Sequence, residues 1–181
     1  MAGGLTEDRA LTLVLGGARS GKSRFAESLI TRQSPPWVYV ATAGIGDAEM
    51  AQRIALHQAR RGDSWSTLEA PRDLAGALEA SRLSPVLVDC LTLWLANLLL
   101  AEANIEQETA RLERALAQRD APVALVANEV GSGIVPENAL ARRFRDLQGA
   151  LNQRIAAQAD RVVLTVAGLP LYVKGSPKEL P

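Results

Sequence analysis

The segment Gly16-Gly17-Ala18-Arg19-Ser20-Gly21-Lys22-Ser23 satisfies every fixed position of G-x-x-x-x-G-K-[ST]. Holding an anion with backbone N–H groups requires a chain that can turn inward, which glycine permits. A helix beginning near Lys22 would point its N-terminal N–H groups and its dipole at the same anion. In this pattern Lys22 reaches the β- and γ-phosphates of a nucleotide, and the Ser23 hydroxyl ligates Mg²⁺. An apolar run precedes the segment, and the helical pattern Phe25, Ala26, Leu29, Ile30 follows it. That strand–loop–helix setting argues against a chance glycine turn.

Two further places carry candidate chemistry. The run Val86-Leu87-Val88-Asp89 ends in a carboxylate. At the end of a buried strand beside a phosphate cradle, such a group supplies a second contact to the Mg²⁺ shell; capping the next turn is the alternative. The second place is Asp47 to Arg61, DAEMAQRIALHQARR, which reads as a helix with Asp47 as N-cap and Glu49 in the first turn. Met50, Ile54 and His57 fall on one side. Arg53 lies four residues before His57, Arg60 three after and Arg61 four after. Three guanidinium groups disfavour the imidazolium, so the ring stays neutral and nucleophilic. They could also hold a polyphosphate. Covalent phosphoryl or nucleotidyl transfer through His57, the only histidine, is chemically reasonable; an ordinary helix residue is the other reading.

The elements that must position these groups alternate along the chain. Leu11–Leu15, Trp37–Ala41, Val86–Cys90, Val123–Ala127 and Val162–Val166 are short, continuous apolar runs that suit strands covered on both faces. Trp65–Glu69 is a weaker strand. Leu171–Val173 is a short edge strand after a turn at Gly168-Leu169-Pro170. Helices are expected over Asp73–Ala80, over Leu91–Gln118 with a break near Asn104, and over Glu137–Ala159. In the last, Leu140, Phe144, Leu147, Leu151 and Ile155 form one apolar stripe. Arg142, Arg143 and Arg145 fall largely off that stripe and read as a solvated face. Alternating strands and helices predict an α/β layered fold, with ligands at the carboxyl ends of the strands.

The whole chain of 181 residues is the length of one domain. We expect a single P-loop nucleotide-binding domain over residues 1–181, with 1–9 and 175–181 as loose ends. Twenty basic and twenty acidic residues cancel, which argues against a nucleic-acid-coating protein. The longest apolar window, Val86 to Ala101, is broken by Asp89 and Asn97, so no membrane span is expected. Met1 to Ala10 carries Glu7, Asp8 and Arg9 and does not read as a secretory leader. One cysteine, Cys90, allows no intrachain disulfide, and the expected setting is the cytoplasm. The short length argues against motors and transporters. The guanine-reading N-K-x-D is absent, since the fourth long run leads into Asn128-Glu129-Val130-Gly131, and that route gives no base preference.

In combination these pieces resemble a known family. GGARSGKSRFAE at 16–27, Ala41-Thr42-Ala43, MAQRIALHQARR at 50–61, WSTLE at 65–69, VLVDCLT at 86–92 and NEVGSGIVPEN at 128–138 stand in its order. Phe144-Arg145-Asp146 and Leu151-Asn152-Gln153-Arg154 follow. The chain looks like the bifunctional adenosylcobinamide kinase/adenosylcobinamide-phosphate guanylyltransferases of cobalamin synthesis, from about residue 11 to 174. That resemblance implies a three-layer P-loop (RecA-like) fold with a mostly parallel sheet flanked by helices. It implies phosphorylation of adenosylcobinamide by a nucleoside triphosphate, ATP or GTP, with Mg²⁺. GMP then passes from GTP to the new phosphate through a guanylylated His57. It implies nucleotide contacts at Gly16, Gly17, Ala18, Arg19, Ser20, Gly21, Lys22, Ser23, Ala41, Thr42, Ala43, Gln58, Ala59, Arg60, Arg61, Glu69 and Asp89, and a homotrimer. Lys22 and His57 are the implied catalytic residues.

One departure is that some relatives carry glutamate where this chain has Asp89, which shortens the reach to the metal. NEVGSGIVPE lies after a strand, where substrate would sit, and Glu129 could orient a substrate hydroxyl; a structural turn before the long helix is the other reading. One bound GTP pose does not serve attack at both the γ- and α-phosphorus. The segments Gly44 to Asp47 and Arg61 to Ser64 are therefore expected to move. Two other functions fit the cradle alone: a monofunctional small-molecule kinase, which leaves His57 without a task, and a nucleotide-binding switch with no transferase activity.

Overall fold

The computed structural model describes residues 9–43 and 62–176. Its strands are β1 (Leu11–Gly16), β2 (Trp37–Ala41), β3 (Trp65–Glu69), β4 (Val86–Asp89), β5 (Val123–Asn128), β6 (Arg161–Val166) and β7 (Leu169–Lys174). The helices among these residues are α1 (Lys22–Ile30), α2 (Leu74–Ala80), α3 (Leu91–Leu100), α4 (Ile105–Ala117) and α5 (Ala139–Gln158). The seven strands form one sheet in the order β3-β2-β4-β5-β1-β6-β7. Every neighbouring pair is parallel except β6 with β7.

Side chains alternate across a strand, so each apolar run feeds two cores. Leu13, Val40, Val88 and Leu125 face one side. There they meet Leu74 and Leu78 of α2, Leu91, Trp94 and Leu95 of α3, Leu112 of α4, and Leu151 and Ile155 of α5. Val14, Tyr39, Leu87 and Val126 face the other side, against Ala26 and Ile30 of α1. Helices thus lie on both faces, as expected of a three-layer P-loop fold. No helix among the described residues is long and apolar enough to cross a membrane.

The elements expected within the described residues stand, with shifted limits. The helix expected from Leu91 is two helices. Glu102 takes a left-handed φ of 52°, and Asn104 starts α4 by accepting from the Gln107 N–H. The last helix starts at Ala139, not Glu137, because the Asn138 carboxamide caps it, accepting from Leu140 and Ala141 N–H. Its apolar stripe is only partly core. Leu151 and Ile155 are buried and Phe144 and Leu147 pack partly buried against the core, but Leu140, in the first turn, is 50% exposed. β7 begins at Leu169, earlier than expected. Ala167 and Gly168, at φ 52° and 83°, form a two-residue turn, and Pro170 lies within the strand opposite Thr165. An edge strand tolerates that proline, whose missing N–H would have faced outward.

Candidate active site

Gly16 ends β1 buried in the sheet, and the chain then turns through residues 17–21 to enter α1. The Ser20 N–H bonds the Gly17 carbonyl at 3.3 Å, and the Phe25 N–H starts the helix by bonding Gly21 O at 3.0 Å. Gly21 sits at φ 93°, where a side chain would be strained. The Lys22 ammonium folds back onto Gly17 O at 3.0 Å, over the loop that it would serve with a phosphate present. Gly17, Ala18 and Arg19 are exposed. Gly16–Ser23, the segment expected to hold phosphate, is therefore a tight strand-to-helix turn at the carboxyl end of β1.

The cradle is braced by residues far along the chain. The Thr165 hydroxyl donates to Leu15 O at 3.0 Å, so the Ser20 hydroxyl, 2.9 Å from it, is the donor between those two. The Gly168 N–H bonds Ser20 O at 2.9 Å, and a β-carbon on Gly21 would stand 3.1 Å from the Gly168 α-carbon. The β6–β7 turn thus fixes the outer wall of the loop. Reading the sequence missed this wall. Its one signal was a buried threonine in the apolar run 162–166.

Asp89 ends β4, two strands from β1, and its Oδ2 accepts from the Tyr39 hydroxyl at 3.4 Å. The chain after it is clamped. Thr42 Oγ1 donates to Cys90 O at 2.7 Å and accepts from Cys90 N–H at 2.8 Å. The Asn97 carboxamide donates to Thr42 O at 2.7 Å and to Pro71 O at 2.9 Å, tying α3 to the exits of β2 and β3. Ala41, Thr42 and Ala43 are buried, and the Thr42 hydroxyl is spent on Cys90. Burial, with the Asp89 charge beside it, pushes the Cys90 thiol pKa up.

Glu69 ends β3 at the opposite edge of the sheet from β7 and is exposed. It lines an open cavity of about 430 Å³ with Leu68, Pro71, Arg72 and Asp73. Four strand spacings separate β3 from β1, roughly 19 Å. The anticipated contacts therefore share the carboxyl edge without forming one cluster: cradle, Asp89 and Glu69 stand in a row along it. His57, Gln58, Ala59, Arg60 and Arg61 lie outside the described residues, as do the helix expected over Asp47–Arg61 and most of the segments expected to move. At the other flank of Asp89, the Glu129 N–H bonds Gly16 O at 3.2 Å, and Glu129 Oε1 accepts from Gly131 N–H at 2.6 Å.

Among the described residues no three histidine, cysteine, aspartate or glutamate side chains gather as a metal cage. Mg²⁺ does not need one. It is a hard cation that takes one or two protein oxygens and fills its shell with phosphates and water. The Ser23 hydroxyl and the Asp89 carboxylate are donors of that kind, and each is partly exposed.

The sequence matches the family described as "Cobinamide kinase / cobinamide phosphate guanyltransferase" over residues 12–173. It is similar to the bifunctional adenosylcobalamin biosynthesis protein CobP of Pseudomonas aeruginosa, 49% identical, with 91% of this chain and 98% of the relative covered. It is also similar to the CobU proteins of Salmonella typhimurium and Escherichia coli, 47% and 42% identical, each covering 91% of this chain and 99% of the relative. A match of this extent, on a layered α/β sheet of the expected kind, settles the class: the chain belongs to the cobinamide kinase/cobinamide phosphate guanyltransferase family, and it is an enzyme of that bifunctional kind.

Proposed function

We propose that this enzyme phosphorylates the aminopropanol hydroxyl of adenosylcobinamide with ATP or GTP. It then transfers GMP from GTP to the new phosphate, giving adenosylcobinamide-GDP. The observation that carries the kinase half is the braced cradle with Lys22 on its loop and Asp89 on the same edge. Lys22 and the backbone N–H groups of residues 17–22 align and neutralise the triphosphate. Ser23 and Asp89 would hold Mg²⁺, which when bound would offset the phosphate charge.

The transferase half rests on His57, the only imidazole in the chain, with Arg53, Arg60 and Arg61 near it in sequence. Its nitrogen attacks the α-phosphorus and pyrophosphate leaves. The phosphate of the corrinoid then takes GMP from the histidine, so one displacement becomes two easier ones. Glu69 and residues 41–43 extend the nucleotide site along the carboxyl edge, and Gln58 and Ala59 complete it. The spread from β1 to β3 supports this reading, since a nucleotide must present its γ-phosphorus in one step and its α-phosphorus in the other.

We assign the working form as a cytoplasmic homotrimer without nucleic-acid or membrane partners. The antiparallel edge strand β7 supports assembly. Leu169, Leu171 and Val173 share one face of it and are 71%, 59% and 65% exposed, a surface that assembly would cover.

The test uses GTP labelled at the α-phosphate, with Mg²⁺ and the purified protein. Acid-labile label retained after denaturation, lost in His57→Ala and absent with γ-labelled GTP, is the expected result. A His57→Ala enzyme that still forms adenosylcobinamide-GDP would remove the histidine from the mechanism.

A further inference from the structure

The geometry points to Glu129 as the carboxylate that orients the corrinoid hydroxyl and receives its proton in the kinase step, with no part in guanylyl transfer. This assignment rests on the kinase reading above. Strand order carries it. β5 lies directly between the cradle strand β1 and the Asp89 strand β4, and its last residue, Asn128, pairs in register with Gly16. Glu129 is the next residue, and its N–H is bonded to Gly16 O. Among the described strand ends, Glu129 is therefore the carboxylate-bearing residue whose backbone is nearest the cradle strand, one strand spacing or about 5 Å from it, against about 10 Å for the Asp89 strand and roughly 19 Å for the Glu69 strand. On the other side of β1, β6 leads into Ala167 and Gly168 and offers no carboxylate.

A negative charge at this position opposes polyphosphate binding, so its presence calls for a task. The side chain is exposed and held by one oxygen only: Oε1 accepts from Gly131 N–H, and Oε2 makes no hydrogen bond among the described residues. Gly131 accommodates this. A β-carbon there would stand 2.9 Å from Oε1.

The two half-reactions differ in what they ask of a base. In the kinase step the hydroxyl oxygen bonds to the γ-phosphorus. The bond from that phosphorus to the bridging oxygen breaks, its electron pair leaves on the nucleoside diphosphate, and the hydroxyl proton passes to Glu129. In guanylyl transfer the acceptor is a phosphate monoester, already anionic, with no proton to remove.

Glu129→Gln keeps an acceptor for Gly131 N–H and loses the basic oxygen. Kinase turnover is measured with adenosylcobinamide and γ-labelled nucleotide, and guanylyl transfer with adenosylcobinamide phosphate and α-labelled GTP. We expect kinase kcat to fall about 100-fold or more, the usual size of a lost general base, with guanylyl transfer within about twofold of the unaltered enzyme. The second assay also verifies that the variant is folded and binds GTP. Kinase turnover within about threefold of the unaltered enzyme would overturn the assignment. So would an equal loss of both activities, which would place Glu129 in nucleotide binding or in the fold. An unaltered enzyme with no kinase activity would overturn the functional reading itself.

Discussion

Thr42 stands among the residues anticipated to touch nucleotide, yet its side chain works inside the protein. Its hydroxyl donates a hydrogen bond to Cys90 O and accepts one from Cys90 N–H, with 0% exposure. Thr42→Val keeps the shape and leaves the buried Cys90 N–H unpaired, while Cys90 O keeps its bond from Trp94 N–H. We expect a loss of about 2 kcal/mol in urea unfolding, with Thr42→Ser within about 1 kcal/mol of the unaltered protein. The glycine-rich turn between β1 and α1 was legible because its eight residues are contiguous. Its brace was not. Ser20 and Thr165 are 145 residues apart, and Thr42 and Cys90 are 48 apart, so no local spacing announces either pair.

Between elements, one buried guanidinium joins three pieces of chain. Arg119, just past α4, donates to Leu78 O at 3.0 Å, to Ser81 O at 3.2 Å and to Ser84 O. These carbonyls lie at the end of α2 and in the turn before β4. Burial pushes the Arg119 pKa down to about 10, so it remains charged near neutral pH and the carbonyl dipoles face a cation. Arg119→Met fills the volume, takes from Ser84 O its bond and leaves Ser81 O and Leu78 O with one bond each, from Ser84 N–H and the Ser81 hydroxyl, and a loss of about 2 kcal/mol is expected by chemical denaturation. Kinase and transferase activities should persist at low temperature, because this stitch lies at the amino end of β4, away from the cradle. Composition gave no hint of it, since an arginine between Gln118 and Asp120 reads as surface. The strands, by contrast, were legible as apolar runs, and only their ends moved. Hydrogen-bonded caps such as Asn138 and the turn at Ala167-Gly168 set those ends, and hydrophobic patterning does not register them.

Across the whole molecule, the carboxyl edge of one sheet carries cradle, carboxylates and clamps, each delivered by a different strand or the turn after it. α3 starts at that edge, and its N-cap is the single cysteine of the chain, buried at 7% exposure beside Asp89. The natural protein therefore carries a reporter at its own site. A thiol reagent reaches Cys90 only when the first turn of α3 parts from the β2 exit, so the labelling rate counts those openings. One thiol per chain should react at once in urea and slowly in buffer. Thr42→Val should speed the reaction in buffer at least tenfold, followed by the colour of the released thiol, because it cuts the clamp that keeps the door shut.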